Sequence, residues 1–399
     1  MDLPVVMNIA VFPCGTEIGL EICRSLRFEK DITLFGISSI PCHGELMYDN
    51  YTSDAPYVTD GMFHTWLEVF QKDNQIDLVI PANDLVLEEF ASMGLPTYHP
   101  HETIFTCARK SRTYEALKDV VRVPKQYTPE NRPYEVFLKP DQGHSGIGCH
   151  HITTDAGFDA HYKGQLILEC CEGDEFTVDC FSQDGTLIFV RERTRENIRS
   201  GISSVSRAVE HSILNYYAHR INEEIKFNGA WFCQFKKKGD EYVLMECAAR
   251  IGGSVGLNRA SGSNLPLMDI YNYLGKQIQA FEEDGEISRS LSVKSKLPDG
   301  EIYIDLDDTL ILKGKVNWQI MALLYKYNER TFHLCTRNQN PYKVLDQYRI
   351  PLDLFKTVCI VKPDQRKADY VKDGLLVDDS WNERKDVRSV DPNCVDLYL

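Results

Sequence analysis

The stretch YIDLDDTLI, residues 303–311, contains the carboxylates whose spacing most clearly suggests chemistry. Side chains alternate along a strand, so Asp305 and Asp307 are expected on one face of an apolar strand, with Asp308 and Thr309 after them. Two neighbouring carboxylates repel each other, which tends to raise the pKa of one and keeps an acid available near neutral pH. The pair could therefore supply both a nucleophile and a general acid to one reaction.

A second set of residues, in the middle of the chain, has the types needed to hold a triphosphate. A strand-like segment ends at Lys139 and Pro140, and small side chains in the next loop would let backbone N–H groups approach phosphate oxygens. The sequence contains no GxxxxGK[ST], so such a site would be built without a P-loop. The small residues of this loop are Gly143, Ser145, Gly146 and Gly148.

Length and charge narrow the class of protein. A chain of 399 residues exceeds what one hydrophobic core normally organises, so two or three domains are expected. The formal charge is -15 and no Lys/Arg run forms a basic stripe, which argues against nucleic-acid binding and favours small-molecule substrates. No apolar run reaches the roughly 18 residues of a membrane helix, so no membrane partner is expected.

The 13 cysteines are scattered, with no CxxC pair and no secretory leader ahead of them. Free thiols and a cytoplasmic location are the simpler expectation. Cys170 and Cys171, which follow apolar residues, are expected to pack as core thiols. The doublet His150 and His151 has no matching Cys pair nearby in the sequence, so a zinc site is not expected there.

The pattern of predicted strands and helices that must position these residues changes along the chain. Strand and helix patterns alternate over residues 1–98, which predicts a parallel sheet covered on both faces. Hairpin-like strands, two of them around a turn at Gly173, dominate 99–285. An acidic, Gly-containing stretch leads into a linker at 286–299, and strand-helix alternation returns over 300–399. The fold class is therefore α/β and α+β, in several domains.

Four segments, FLKPDQGHSGIG, LECCEGDEF, QF and MECAARIGGS, occur in an order that resembles the ATP-grasp family of carboxylate-amine ligases. The resemblance covers residues 1–285 and implies a Rossmann-like pre-ATP-grasp domain followed by an ATP-grasp domain. It also implies ATP with Mg2+ or Mn2+ as cofactors, and an acyl phosphate that an amine attacks to leave an amide and ADP. A carboxylate and an amine are thus the implied substrates, and a homodimer is compatible with the family.

The resemblance implies a role for each matching position. Gln234 and Glu246 would hold Mg2+, which takes hard oxygen ligands, and Arg250 would meet the transferred phosphoryl group or the acyl phosphate. The residues implied in nucleotide binding are Lys110 and Lys139 with Gly143, Ser145, Gly146 and Gly148 for the phosphates, Glu169 with the backbone of Cys170 and Cys171 for adenine, and Glu175 for ribose.

Substrate contacts are expected from three arginines. Arg259 belongs to a glycine-rich segment that resembles the wall of an acyl-phosphate pocket. Arg193 or Arg199 could clamp a substrate carboxylate with two hydrogen bonds, although a solvated charged loop explains that segment equally well. One position departs from the family, because the metal-binding E-x-N reads Glu246, Cys247, Ala248. A second metal is then bound more weakly, another group replaces the Asn, or this domain has lost its chemistry.

Residues 300–399 resemble the haloacid dehalogenase superfamily, because four motifs occur in order: DLDDTL, a Thr after FHLC, the Lys of KADYV, and LLVDDS. The short spacings between them leave no room for a large inserted cap, so a Rossmann-like domain with an open pocket is expected. The resemblance implies that Asp305 is the nucleophile and that Asp307 acts as general acid and base. Thr336 would hydrogen-bond the phosphoryl oxygens, and Lys367 would offset their negative charge. Asp378, Asp305 and the Asp307 carbonyl would bind Mg2+, and Asp379 would support these ligands from outside the metal's coordination sphere.

The leading hypothesis from the sequence is a bifunctional enzyme, an ATP-dependent ligase joined to a Mg2+-dependent phosphohydrolase that acts on a phosphate ester. An alternative is a phosphatase whose ATP-grasp portion only binds nucleotide or substrate, for which Ala248 is the signature. A third is an active ligase with an inactive C-terminal domain. The sequence itself does not name the carboxylate, the amine or the phosphate ester.

Overall fold

The computed structural model describes residues 7–143, 146–198, 203–278, 280, 286–288, 300–372, 374–390 and 395–397. Ser145, Arg199 and most of the expected linker lie outside these described residues. The chain divides into two compact units, Met1–Lys294 and Ser295–Leu399. Each unit has its own sheets and its own hydrophobic core.

The described part of the first unit alternates strands and helices before it becomes mainly antiparallel. Its strands are β1 (Met7–Phe12), β2 (Ile32–Ile37), β3 (Asn50–Thr52), β4 (Leu78–Pro81), β5 (Gln126–Tyr127), β6 (Val136–Lys139), β7 (His150–Ile152), β8 (Leu166–Leu168), β9 (Glu175–Gln183), β10 (Thr186–Thr194), β11 (Val205–Val209), β12 (Gly229–Lys238), β13 (Glu241–Ala248) and β14 (Glu286–Ser288). Its helices are α1 (Glu17–Leu26), α2 (Phe63–Asp73), α3 (Asp84–Ser92), α4 (His101–Cys107), α5 (Lys110–Leu117), α6 (Asp155–His161), α7 (Ser212–Ile225), α8 (Gly256–Ala260) and α9 (Leu265–Tyr273), with a 3-10 turn at His43–Leu46.

The N-terminal sheet has the order β3-β2-β1-β4, and all its neighbouring strands are parallel. The central strand β1 is apolar on both faces. Ile9 and Val11 pack into the cluster that contains α1 and α9, whereas Ala10 and Phe12 pack into the cluster of α2 and α3. A strand buried on both faces is typical of a parallel sheet covered by helices, and this alternation fixes which residues face each layer.

Two antiparallel sheets complete the first unit. The larger has the order β13-β12-β9-β10-β11-β14 and the smaller β5-β8-β6-β7. Strands β8 and β9 belong to different sheets, so the expected turn at Gly173 joins two sheets rather than two paired strands. Gly173 donates its N–H to the Lys237 carbonyl at 3.0 Å, and a Cβ at this position would collide with that carbonyl.

Alternation along β9 and β12 separates a packed face from a polar face. Trp231, Cys233 and Phe235 of β12 pack with α7 residues such as Leu214 and Ile221 in one core cluster. Gln234 points away from that core because side chains alternate along a strand. The β12–β13 pairing is irregular after Gln234, since Phe235 pairs with Leu244 and one residue of β13 is left unpaired, as in a β-bulge.

The second unit is built on a five-stranded parallel sheet, β19-β18-β15-β20-β21. The chain starts at the central strand, builds outward to one side and then to the other. Its strands are β15 (Glu301–Ile304), β16 (Ile311–Leu312), β17 (Lys315–Val316), β18 (Phe332–Thr336), β19 (Thr357–Ile360), β20 (Gly374–Val377) and β21 (Val395–Leu397). Its helices are α10 (Trp318–Lys326), α11 (Pro341–Gln347) and α12 (Trp381–Val390), with 3-10 turns at Leu352–Leu354 and Lys367–Asp369.

Candidate functional sites

The first unit contains a cavity of about 640 Å³ whose lining comes from the segments that follow β1 and β4 of the N-terminal sheet and from both antiparallel sheets. Lys110 and Lys139 line it together with Gln234, Glu246 and Arg250. The structure therefore brings into one cavity residues that are separated by more than a hundred positions in the chain.

Two lysines are held at one end of this cavity by backbone carbonyls. Lys139, at the end of β6, donates from Nζ to the Met245 carbonyl at 2.9 Å, and Lys110, the first residue of α5, donates to the Gly143 carbonyl at 3.2 Å. Burial lowers the pKa of Lys139, although the nearby Glu246 carboxylate acts in the opposite direction. Neither ammonium has an ion-pair partner among the salt bridges of the described residues, so both could meet phosphate oxygens.

The glycine loop after Lys139 has the backbone that phosphate contact requires. Gly143 and Gly146 line the cavity, with φ angles of 140° and 66°, and Gly148 has φ 73°. These values favour glycine because a Cβ is strained at positive φ. Ser145 cannot be placed, since it lies outside the described residues.

Glu169 is buried and its carboxylate is already engaged. It accepts hydrogen bonds from Lys238 Nζ at 2.5 Å, from the Lys125 N–H at 3.0 Å and from Arg122 Nη2 at 3.2 Å. Burial would raise its pKa, but the hydrogen bonds from Lys238 and Lys125 and the nearby cations lower it overall. These bonds hold the chain in place directly after β8. Cys171, two residues after Glu169, lines the cavity, whereas Cys170 is not among the lining residues.

A row of polar residues crosses four strands of the larger sheet. Arg193 of β10 is paired with Thr177 of β9, Thr177 with Gln234 of β12, and Gln234 with Glu246 of β13. Glu246 and Gln234 offer a carboxylate and an amide oxygen on adjacent strands in the cavity. These hard oxygen donors fit Mg2+, which is often held by one or two protein oxygens together with phosphates and water. Ala248 is buried opposite Phe232 and adds no ligand.

A second polar group lies two residues away along β9 from Thr177. Glu175 accepts hydrogen bonds from Arg195 Nε and from Lys236 Nζ, both at 3.2 Å. All three residues line the cavity, and burial lowers the pKa of Arg195. The carboxylate expected to meet ribose is thus held between two cations that the sequence did not single out.

Arg250 is fixed by a residue of the N-terminal sheet region. Its Nε lies 2.7 Å from Asp84 Oδ1, its Nη2 also contacts Asp84, and its guanidinium lies over the Phe232 ring. Burial would lower the pKa of Arg250, but Asp84 raises it overall. The guanidinium is therefore charged and oriented within the cavity.

The arginines expected to bind substrate are placed differently from one another. Arg193 lies almost fully buried and donates from Nε to Asp179 Oδ2 at 2.7 Å and from Nη1 to Ser206 at 3.3 Å. Arg259 donates to Glu21 Oε1 at 2.9 Å on α1 and is not among the residues that line the cavity. Arg199 lies outside the described residues. Arg193 and, just after β10, Arg195 both line the cavity.

The second unit gathers its acidic residues at the carboxyl edge of its sheet. Asp305 follows β15, Thr336 ends β18 and Asp378 follows β20, and these three strands are neighbours. In open α/β sheets, ligands bind at this edge where the chain reverses its direction of building. The oxygens of Asp305, Asp378 and Asp379 lie within 4.8 Å of one another, a donor set that suits Mg2+.

Lys367 connects two of these carboxylates. Its Nζ donates to Asp305 Oδ1 at 2.7 Å and to Asp378 Oδ2 at 2.6 Å, and all three side chains are buried. Burial raises the pKa of Asp305 to about 6, while the charge of Lys367 acts in the opposite direction. Burial also opposes the charge of Lys367, but the two carboxylates raise its pKa overall.

Hydrogen bonds position the remaining motif residues of this unit. Thr309 Oγ1 accepts from the Asp379 N–H at 3.0 Å, which joins the first and last motifs. Asp307 is exposed, and its carboxylate accepts from Asn338 Nδ2 at 3.0 and 3.1 Å. Thr336 Oγ1 accepts from the Asn338 N–H at 3.0 Å. Asn338 thus connects Asp307 and Thr336, a link that the motifs alone did not reveal.

Some contributors were missed from the sequence, for different reasons. Lys236 is two residues after Gln234, so the strand period would have placed it on the same face. Arg195 has the same relation to Arg193. Asp84 is far from Arg250 in the chain, and no local pattern relates them.

Comparisons with known proteins bear on the fold. A family model described as "ATP-grasp in the biosynthetic pathway with Ter operon" matches residues 161–295, less than half of the chain. No curated protein matches this sequence significantly.

Solved structures are similar over a longer part of the chain. The biotin carboxylase domain dimer of 2-oxoglutarate carboxylase from Hydrogenobacter thermophilus, in complex with MgADP, ADP and bicarbonate, is 16% identical. It matches with a TM-score of 0.58 over 70% of this chain and 73% of that chain. N5-carboxyaminoimidazole synthetase from Staphylococcus aureus, complexed with ADP, has a TM-score of 0.58 at 13% identity, over 70% and 80%. An L-amino acid ligase from Bacillus licheniformis has a TM-score of 0.54 at 17% identity, over 67% and 74%.

These similarities show that this mixed α/β protein carries an ATP-grasp fold. Among the described residues, no helix is both long and apolar enough to cross a membrane.

Proposed function

We propose that this chain is a bifunctional enzyme, an ATP-dependent ligase joined to a phosphohydrolase. The proposed boundaries are a pre-ATP-grasp domain at 1–98, an ATP-grasp domain at 99–285, a linker at 286–299 and a haloacid-dehalogenase-like domain at 300–399. Small-molecule substrates, a cytoplasmic location and a homodimer complete the proposal. The homodimer is in keeping with the dimeric biotin carboxylase domain among the structural neighbours.

One observation carries the ligase half. Lys110 and Lys139 line the same cavity as Gln234 and Glu246, so cationic and oxygen-donor groups converge where a nucleotide would place its phosphates. Gln234 and Glu246 would hold Mg2+, which would neutralise phosphate charge during phosphoryl transfer. Solved neighbours are described as complexes with ADP, which supports the same assignment here.

The nucleotide would lie along the residues that line this cavity. The N–H groups around Gly143 and Gly146 would approach the phosphates with Lys110 and Lys139. The backbone of Cys171 would contact adenine, at a strand end that Glu169 keeps in place. Glu175 would contact ribose from between Arg195 and Lys236.

The carboxylate substrate would then react beside the triphosphate. Arg250, oriented by Asp84, would contact the transferred phosphoryl group, because a guanidinium fork matches phosphate geometry. Arg193 and Arg195 both line the cavity and would be the candidates for a substrate carboxylate, Arg193 from beside Asp179 and Ser206 and Arg195 from beside Glu175. Attack of an amine on the acyl phosphate would form the amide and release inorganic phosphate.

The phosphohydrolase half rests on the contact of Lys367 with both Asp305 and Asp378. Asp305 would attack the phosphate ester and form an aspartyl phosphate, which splits one difficult displacement into two easier ones. Asp307 would protonate the leaving oxygen and later take a proton from the attacking water. Thr336 would donate to a phosphoryl oxygen, and Lys367 would offset the negative charge. Asp305, Asp378 and the Asp307 carbonyl would hold Mg2+, with Asp379 in support.

This second pocket would accept a large substrate. The described segment 311–366 consists of the β16–β17 ribbon, helices α10 and α11, strands β18 and β19 and one 3-10 turn. None of these elements forms an inserted domain over the carboxyl edge within that segment. Segment 311–366 would therefore leave the pocket at Asp305 without a cap of its own, either open to a bulky substrate or covered by the ATP-grasp portion or another subunit.

Two assays on the same preparation test both halves. ADP release is measured with Mg2+, ATP and a panel of paired carboxylates and amines, and phosphate release is measured from p-nitrophenyl phosphate. The proposal expects ADP release that requires both a carboxylate and an amine, together with metal-dependent ester hydrolysis. Ester hydrolysis without ADP release from any pair would refute the ligase half. ADP release without ester hydrolysis would refute the phosphatase half.

A second candidate follows from Ala248, which leaves Glu246 and Gln234 as the paired oxygen donors of the row. In this version the ATP-grasp fold binds nucleotide or presents a substrate, and only the phosphatase is active. It predicts that ADP and Mg2+ raise the melting temperature although ATP is never consumed.

A further inference from the structure

Three metal-ligating side chains of different types meet at the edge of the smaller antiparallel sheet. Glu135 immediately precedes β6, His151 lies in β7 and Cys170 follows β8 by two residues. Strand β6 lies between β8 and β7 in this sheet, and Phe137 pairs with both His151 and Leu168. One donor atom from each side chain lies within 4.8 Å of the other two.

The distance between the His151 and Glu135 donor atoms fits a small metal ion with little movement. His151 Nε2 and Glu135 Oε1 are 2.8 Å apart and share a hydrogen bond. Around a tetrahedral Zn2+, with bonds of about 2.0–2.2 Å, an N and an O ligand would be about 3.3 Å apart. A metal could therefore take the place of the shared proton after a shift of about half an ångström. Glu135 and His151 are exposed, so their side chains are free to adjust.

The donor types indicate which metals would bind. A thiolate and an imidazole favour zinc and related transition metals, whereas Mg2+ prefers oxygen alone. Three protein ligands leave a fourth tetrahedral position for water, as in zinc sites that are not purely structural. This cluster is thus chemically distinct from the two oxygen-donor sets, at Glu246 and at Asp305.

Local charge also favours a cation at this place. Burial and the neighbouring charge of Glu135 together raise the pKa of the Cys170 thiol to about 11, so a metal would have to displace the thiol proton. A bound divalent cation would offset the repulsion between the Glu135 carboxylate and a Cys170 thiolate, and the thiol proton would leave to solvent on binding.

We propose that Glu135, His151 and Cys170 form a binding site for one divalent transition metal of the zinc class. Binding would connect β6 and β7 with the segment after β8, which continues directly into Cys171 at the cavity. The expectation of a core thiol at Cys170 is replaced by that of a metal ligand.

Cobalt provides a direct test, because Co2+ bound to a thiolate absorbs through sulfur-to-metal charge transfer and oxygen-only sites do not. The full-length reduced protein is titrated with Co2+ in the presence of excess Mg2+, which occupies the oxygen-donor sites. We expect one equivalent of Co2+ to produce the charge-transfer band and Zn2+ to displace it. Cys170→Ser should abolish the band, and His151→Ala and Glu135→Gln should each weaken Co2+ binding at least about tenfold.

His150→Ala is the matched control. His150 neighbours His151 on β7, but its ring stacks on His161 with centroids 4.2 Å apart, and it is not in the cluster. Its substitution should leave Co2+ binding unchanged. Metal-free melting temperatures of all variants show whether they fold, and Glu135→Gln alters an exposed residue if Cys170→Ser proves unstable. A wild-type protein without the band, or a band that persists in folded Cys170→Ser, would overturn the proposal.

Discussion

Gln234 and Glu246 lie directly opposite each other on the antiparallel strands β12 and β13. Their side chains offer an amide oxygen and a carboxylate on the polar face of the sheet. Two residues further along β13, Ala248 lies opposite Phe232, where a side chain with a ligating atom would extend the set. On the proposed assignment, this pairing leaves two oxygen donors for one magnesium ion although the third residue of the expected motif is missing.

Ala248→Asn is expected to strengthen metal binding in the ligase site. The new amide oxygen would lie on the same face of β13 as Glu246, so the Mg2+ concentration that half-saturates ADP release should fall about tenfold. Initial rates of ADP release across a Mg2+ series measure this. Ala248→Val adds similar bulk without a ligating atom and serves as the control. Equal Mg2+ requirements in the Asn and Val variants would show that position 248 does not face the metal.

Lys139→Met should reduce nucleotide affinity at least about tenfold, because it removes one of the two cations placed for the phosphates. A tenfold loss corresponds to about 1.4 kcal/mol of ligand-dependent stabilisation, which appears as a smaller rise in melting temperature with ADP and Mg2+. Lys237→Met removes a lysine from the strand position next to Lys236, where alternation turns the side chain away from the cavity face. Its ADP-dependent rise should match the wild type. Equal rises in both variants would contradict a phosphate contact at Lys139.

Asp305→Asn should abolish hydrolysis of p-nitrophenyl phosphate, with a loss of at least about a thousandfold in turnover, since an amide is a poor nucleophile. Asp308→Asn is the matched control in the same motif. Asp308 is exposed with φ 54°, a conformation that Asn tolerates, so this variant should keep its turnover. Steady-state phosphate release from both variants decides the point, and undiminished turnover in Asp305→Asn would exclude this nucleophile.

Asp269 should make the stability of the fold depend on pH. Burial raises its pKa to about 8, so the folded protein keeps a proton that the unfolded chain releases above about pH 4. The stability that this carboxyl contributes is therefore complete at low pH and is lost as the pH rises through 8. Its oxygen accepts from the Ala230 N–H at 2.8 Å, a bond that Asn can also accept.

Asp269→Asn should consequently remove this dependence. Between pH 6.5 and 8, the wild type should lose stability relative to the variant by up to about 1.4 kcal/mol per pH unit. Urea unfolding at several pH values measures the difference. His99, whose pKa burial lowers to about 4, contributes a change of the opposite sign only below about pH 6.5. Parallel stability curves for wild type and variant in the upper window would contradict a proton on Asp269.

The sequence predicted well what depends on local periodicity and ordered motifs. The ATP-grasp segments correctly indicated the fold, and the residues around Lys139, Gln234 and Glu246 converge in one cavity. The sequence could not predict which distant side chains contact the site residues. The contact of Asp84 with Arg250 and that of Glu21 with Arg259 join distant segments, and neither leaves a local pattern.

Cysteine placement shows the same limit. Spacing along the chain gave no reason to group Cys170 with His151, because the relation between them arises from the pairing of β6 with both of its neighbours.

The two arginines Arg193 and Arg195 have the same charge and nearly the same position in the sequence. Their partners separate them, since Arg193 is held by Asp179 and Ser206 and Arg195 by Glu175, although both line the cavity.

The irregular pairing of β13 has a consequence for how the protein can vary. The carbonyl of Met245, at the unpaired position, receives both the Lys139 ammonium and the Tyr114 hydroxyl, each at 2.9 Å. Lys139 is thus held by the main chain, so the side chain at position 245 can be substituted without removing this hydrogen bond. Deleting the residue between Leu244 and Glu246 would disturb the lysine. The β12–β13 pairing would then be continuous, and Lys139 would lose the carbonyl that accepts its hydrogen bond.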